Sequence, residues 1–165
     1  IDHEKSNRYQ LTITGSVSID RSLIDSEHLI ISSEGYYPEK IKLNNSDSYI
    51  IDMTKLDQKY ILEDLLFDYD SYKLTESVKN FLFLYAQWLK QNDEINIRIE
   101  GHTDSVGSDN YNMTLSENRA KEVLNFFVSE GILKNRMKAI GFGNKIPVAE
   151  GYDGPKNRRI EITVF

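Results

Sequence analysis

The sequence contains no cysteine, which excludes a disulfide framework, a thiol nucleophile and a zinc site built on thiolates. The compartment stays open, because an oxidising compartment permits disulfides without requiring them. No stretch approaches the roughly 18 consecutive apolar residues of a membrane span. No secretory leader is visible, and the chain starts Ile1-Asp2-His3 rather than with methionine; the expectation is a piece of a longer protein whose targeting and membrane-attaching parts lie elsewhere. Basic runs are missing as well. With a net charge of -6 over 165 residues, neither nucleic acid nor an anionic lipid surface is an expected partner. Gly-x-Ser-x-Gly is absent, so Ser105, Ser108 and Ser116 find no support as hydrolase nucleophiles beside His102. The other histidines, His3 and His28, are remote in sequence, which leaves His102 and Asp104 as too few ligands for a metal. No cofactor is expected.

What is present is an ordinary globular composition, 39% hydrophobic and 28% charged. A chain of this length buries about two-thirds of its unfolded surface and needs no metal or disulfide to hold it. Residues 1–55 read as a small all-β module, whole or part of a β-sandwich. Leu11, Ile13, Val17 and Ile19 alternate with hydroxyl residues; His28–Ser32, Ile41–Leu43 and Tyr49–Ile51 are further short strands, and Gly35-Tyr36-Tyr37-Pro38 is a turn. Residues 56–165 alternate strand and helix. Ile61–Phe67 is strand-like, and Val78, Phe81, Leu82, Tyr85 and Leu89 lie on one face of a helix over Thr75–Gln91. Ile95–Glu100 alternates strictly, Leu115–Glu130 is a second helix closed by Gly131, and Met137–Gly141 and Ile160–Val164 complete the set. The order βαβαββ predicts an α+β domain: a mixed sheet with helices packed on one face.

The sharpest local chemistry follows the strand ending at Glu100. Asp104 sits in the loop after it, and Arg119 lies on or beside the buried stripe of the second helix. An arginine there needs a partner or an opening to solvent. Two readings stand side by side: a structural Asp104–Arg119 ion pair, or a pair of opposite charges meant for a zwitterion. In the second, Asp104 holds an ammonium and Arg119 grips a carboxylate in a bidentate fork. Asn112, read as lying on the loop before that helix, and Arg158 and Arg159, which alone read as solvated charges, are close by in the expected fold. Phe67-Asp68-Tyr69-Asp70 reads as a strand end and turn. Thr114-Leu115-Ser116-Glu117 fits a capping box.

In this order, the stretches Phe67–Asp70, Ile99–Gly107, Tyr111–Ala120, Gly131-Ile132, Gly141-Phe142-Gly143, Pro147 and Asn157–Glu161 resemble the OmpA-like C-terminal domain family, which includes peptidoglycan-associated lipoproteins and flagellar stator proteins. The resemblance implies non-covalent binding to the diaminopimelate of the peptidoglycan stem peptide, without catalysis. By resemblance the family's aspartate falls on Asp104, its arginine on Arg119, its asparagine on Asn112 and its late arginine pair on Arg158 and Arg159. Thr103, Asp68, Tyr69 and Asp70 would line the same pocket. Pro155 stands where the family usually has an arginine and Glu150 where an asparagine is common, so no role is carried to either. The first module is similar, on its turn and strand spacing, to the end of a carboxypeptidase-regulatory-like β-sandwich.

The resulting expectation is a wall anchor for a larger envelope protein, at the periplasmic face of the outer membrane of a Gram-negative bacterium. Peptidoglycan is its partner, with protein partners in the envelope besides. Its rivals are a stator-type anchor that binds the wall conditionally, an adaptor whose β-module binds a protein, and a hydrolase using His102 and Asp104.

Overall fold

A computed structural model describes residues 17–18, 28–33, 35–42, 53–63, 67, 70–148 and 155–165. The chain divides into two compact units, Ile1–Leu56 and Asp57–Phe165. In the first, β1 (Val17–Ser18), β2 (His28–Ser33) and β3 (Glu39–Lys42) form an antiparallel sheet in that order. Between β2 and β3, Gly35 has φ +79, a left-handed conformation that glycine adopts without steric cost. The Gly35 carbonyl accepts a hydrogen bond from the Leu56 N–H, and Ile31 and Tyr37 are fully buried. Of the strand expected from Leu11 only Val17 and Ser18 are described, and the one expected at Tyr49–Ile51 lies outside the described residues.

The second unit runs β4 (Tyr60–Glu63), α1 (Glu76–Gln91), β5 (Ile97–His102), α2 (Asp109–Ser129), β6 (Met137–Gly143) and β7 (Arg159–Val164). Its four strands lie in the order β4-β7-β5-β6. β5 and β6 are parallel, joined by the α2 crossover, while β7 is antiparallel to both β4 and β5. This is the mixed α+β sheet that the alternation of patterns predicts.

The two helices owe their form to different devices. In α1 the apolar period does most of the work: Val78, Leu82, Tyr85, Ala86 and Leu89 are buried along one face. Burying the larger of these side chains contributes on the order of 1.5–3 kcal/mol each. Tyr85 and Phe127 pack at 5.7 Å, which joins α1 to α2. At the end of α1, Arg136 donates to the carbonyls of Leu89, Asn92 and Ile95. A guanidinium there satisfies orphan carbonyls and opposes the negative end of the helix dipole.

Helix α2 starts six residues before its expected origin at Leu115, at Asp109. The Ser108 side chain is its N-cap, accepting from the Tyr111 N–H. The capping box read at Thr114–Glu117 is therefore corrected: Thr114 lies inside the helix and donates to the Asn110 carbonyl. At the other end the Gly131 cap is found, with φ +91. The Ile132 N–H bonds to the Phe127 carbonyl and the Gly131 N–H to that of Val128, which is a Schellman closure.

Glycine also sets how closely α2 approaches the sheet. A Cβ on Gly101 would run into the Ser116 carbonyl, and one on Gly141 would overlap the Glu117 N–H. The Ser116 hydroxyl fastens this contact, donating to Met113 O and accepting from Gly143 N at 2.8 Å. The N-terminal half of α2 is thereby fixed against the carboxyl ends of β5 and β6.

Candidate functional site

Strand β5 delivers Thr103 and Asp104 at its carboxyl end, the kind of loop position that carries binding groups on a rigid support. The Thr103 N–H is held by the Gly143 carbonyl at 2.9 Å. Asp104 is nine-tenths buried. Its Oδ1 accepts from the Val106 N–H at 3.2 Å, and its Oδ2 accepts from Arg158 Nη1 at 2.9 Å. The aspartate is thus oriented by its own loop and paired with an arginine 54 residues away. The ion pair expected between Asp104 and Arg119 is corrected accordingly, because the aspartate's partner is Arg158.

Arg119 lies midway along α2 and is buried. Its Nε donates to the Ser71 carbonyl at 3.0 Å, and its guanidinium sits 5.0 Å from the Phe67 ring centroid. Those contacts fix the plane of the guanidinium, a cation over an aromatic face. Its two terminal nitrogens make no hydrogen bond among the described residues. Burial makes its charge less favourable, and so does the charge of Arg158, while Asp104 and Asp70 act the other way. Arg119 stays protonated, because an arginine does not lose its proton in a protein. The result is a desolvated cation held in a fixed orientation.

Around this pair, Asn112 is corrected from loop to helix: it occupies the first turn of α2 and is 1% exposed. Its Nδ2 and the Thr103 Oγ1 are buried without a hydrogen-bond partner among the described residues, so both have capacity left for a ligand or water. Asp70, with φ 55, is exposed and accepts from the Tyr111 hydroxyl. That contact ties the loop before α1 to the start of α2. Asp68 and Tyr69, expected in the same pocket, lie outside the described residues, as does Glu150.

The late arginines separate. Arg158 has a side chain 38% exposed and belongs with Asp104. Arg159 is 2% exposed, which corrects its reading as a solvated charge. It pairs with Glu161 at 2.6 Å and donates to the Ile146 carbonyl. Alternation along the strands explains the separation. Ile97, Ile99 and Gly101 of β5 point toward α2's side of the sheet, and Arg98, Glu100 and His102 point to the opposite face with Arg159 and Glu161 of β7.

On that opposite face Glu100 and Glu161 are direct cross-strand neighbours, both buried. Like charges in that register are destabilising, and three cations offset them. Lys59 bridges both carboxylates, Arg98 meets Glu100, and Arg159 meets Glu161. Burial raises the Glu161 pKa, but hydrogen bonds from Lys59 and Arg159 outweigh it and hold the carboxyl below its ordinary value. His102 is fully buried and stacks on Phe142 at 5.5 Å. Burial first, then the charge of Arg159, lowers its pKa to about 4. Glu100, His102 and Glu161 have the spacing of a metal-binding group. Their carboxylates are already neutralised by Lys59, Arg98 and Arg159, and a divalent ion would have to displace Lys59.

Several of these partners carry no sequence signal. The Ser71 carbonyl is a backbone group, and Lys59 and Arg136 look like surface charges in the sequence. Tyr111 and Asp70 become legible as a pair only once α2 is known to begin at Asp109.

The sequence pattern of the OmpA family matches residues 66–161. The chain is 39% identical over 105 residues to outer membrane porin F of Pseudomonas aeruginosa, a match covering 61% of this chain and 30% of the porin. It is also 39% identical over 85 residues to the peptidoglycan-associated lipoprotein of Brucella melitensis, covering 52% of this chain and 51% of the lipoprotein. The matches therefore span about half of these relatives or less. Among solved structures, the peptidoglycan-associated lipoprotein from Burkholderia pseudomallei superposes with a TM-score of 0.58 at 32% identity, over 63% of this chain and 91% of that one.

Proposed function

The chain belongs to the OmpA family, and from that premise we propose that it binds peptidoglycan without covalent chemistry, through the diaminopimelate of the stem peptide. It thereby anchors a larger envelope protein to the cell wall, on the periplasmic side of the outer membrane of a Gram-negative bacterium. The observation that carries this reading is the pairing of opposite charges at the end of β5. Asp104 is a carboxylate oriented by its own loop, and Arg119 is a buried guanidinium whose terminal nitrogens make no hydrogen bond among the described residues. Diaminopimelate presents an ammonium and a carboxylate on one carbon, and two fixed charges of opposite sign recognise both at once. The names of the similar lipoproteins, which state an association with peptidoglycan, support peptidoglycan as the polymer bound.

In this assignment Asp104 takes the ammonium and Arg119 the carboxylate. Thr103 Oγ1 and Asn112 Nδ2 supply polar contacts from the floor, and Arg158 lies at the rim with Asp70. Asp68 and Tyr69 remain part of the proposed lining. Arg159, committed to Glu161, supports the site from beneath rather than touching the ligand. The domain acts by binding alone. Ser116 is engaged at both ends of its hydroxyl, and His102 is sealed on the other face of the sheet against Phe142.

The test is sedimentation with purified diaminopimelate-containing sacculi. The protein is expected in the pellet, to be released by soluble meso-diaminopimelate, and to leave the muropeptide chromatogram unchanged. Protein that stays in the supernatant would remove wall binding from the account, and released fragments would remove the binding-only reading.

A further inference from the structure

We propose that Tyr111 is a positioning residue for the carboxylate subsite: its hydroxyl holds the Asp70 carboxylate at the start of α2 and so keeps it from closing on Arg119 in place of the ligand's carboxylate. The proposal rests on the Asp104–Arg119 reading above. Its own basis is the way the loop before α1 meets α2. An isolated bridge between Phe67 and Leu74 closes the base of that loop. Near its tip two neighbouring residues contact the helix: the Ser71 carbonyl accepts from Arg119 Nε at 3.0 Å, and Asp70 Oδ1 accepts from the Tyr111 hydroxyl. Tyr111 and Arg119 stand about 12 Å apart along a helix axis. Asp70 is thus drawn to one end of that span while Ser71 marks the other.

Asp70 is exposed, acidic and adjacent to the residue that Arg119 already contacts. Its charge is among those that favour the charged form of Arg119, so the two groups lie within electrostatic reach of each other. A carboxylate tethered this close to a guanidinium has a high effective concentration there. An Asp70–Arg119 pair would occupy the donors that the ligand's carboxylate needs. The Tyr111 hydroxyl withdraws this internal competitor by offering it another donor. The ring is braced independently of that bond. It belongs to the first turn of α2, where the Tyr111 N–H donates to Ser108 Oγ at 3.2 Å, and a Cβ on Gly107 would lie 3.2 Å from its Cδ1. Removing the hydroxyl alone therefore releases Asp70 and leaves the ring and the helix start in place.

The experiment titrates the full chain by calorimetry with two stem peptides, one carrying meso-diaminopimelate at the third position and the other L-lysine. Tyr111→Phe is expected to bind the diaminopimelate peptide about tenfold more weakly, the size of one charge-assisted contact. Its affinity for the lysine peptide should match that of the unsubstituted protein, because that peptide brings no carboxylate beside its side-chain ammonium. Asp70→Asn keeps an oxygen for the hydroxyl but offers Arg119 no charge. In that background Tyr111→Phe should change diaminopimelate affinity by less than about twofold, the scatter of uncoupled sites. A bond that only stiffened the loop would cost the same in both backgrounds, and that result overturns the proposal. An unchanged diaminopimelate affinity in Tyr111→Phe alone overturns it too, while the zwitterion reading stands. If the unsubstituted protein binds both peptides equally, the zwitterion reading falls and takes this proposal with it.

Discussion

Replacing Arg119 with alanine is expected to weaken binding to a diaminopimelate stem peptide by about a hundredfold or more, the effect of removing one partner from a desolvated, hydrogen-bonded charge pair. The size follows from how the side chain is held. Its Nε is fixed by the Ser71 carbonyl and its plane by Phe67, so little conformational entropy remains to be lost when a carboxylate arrives. The helix that carries it is anchored at both ends, by Ser108 and by the Gly131 closure. Arg119→Lys is expected to recover only part of the loss. A lysine keeps the charge, but it has neither the planar fork that matches a carboxylate nor a group to bond Ser71 while facing the ligand. Calorimetric titration of the three proteins checks this, with circular dichroism confirming that each one folds. Affinity unchanged in Arg119→Ala would show that the buried guanidinium is purely structural.

The second large effect is on stability. Glu161→Ala should destabilise the second unit by about 3–5 kcal/mol, the range for breaking a buried ion pair by removing one partner. Glu161 is 2% exposed and accepts from both Lys59 and Arg159. Its loss leaves Arg159 buried and uncompensated, and Arg159 cannot swing to solvent without leaving the Ile146 carbonyl. Urea denaturation of both proteins measures the difference, and a change below about 1 kcal/mol would mean that Arg159 finds another anion. The same cluster makes the fold acid-sensitive. The His102 pKa is lowered from 6.5 to about 4, so between those values the unfolded chain binds the proton that the folded chain refuses. Its contribution is fully present above pH 6.5 and is lost as pH falls toward 4. The depressed Glu161 carboxyl acts in the same direction, losing its contribution on acidification below its ordinary 4.5. His102→Gln should flatten the fall in stability between pH 6.5 and 4.

Much of the second unit was legible in the sequence because its elements obey strong periods. Helix α1 starts one residue from its expected position and ends on it, since a full apolar face over four turns has no competing reading. Strands β5 and β7 were equally plain from alternation. The start of α2 was not, because Asp109–Thr114 is mostly polar and carries no apolar stripe. Thr114–Glu117 also imitates a capping box inside the helix, and Ser108 caps it without the glutamate that makes a cap conspicuous. Burial of the polar strand face was invisible for a related reason. Arg98, Glu100, Arg159 and Glu161 look like residues that face water, and only the register opposing Glu100 to Glu161 shows that they neutralise one another out of it. The candidate site was legible in its residues but not in its pairing. Nothing local distinguishes Arg119 from Arg158 as the partner of Asp104, and the choice is made by β7 arriving next to β5.

The most direct test of the central claim is a titration of the protein with two stem peptides that differ only at the third position, meso-diaminopimelate in one and L-lysine in the other. Lysine offers the side-chain ammonium without the adjoining carboxylate. The account predicts that the diaminopimelate peptide binds at least about tenfold more tightly, the value of one charge-assisted contact, and that this preference disappears in Arg119→Ala. Equal affinities of the unsubstituted protein for the two peptides would contradict zwitterion recognition by Asp104 and Arg119.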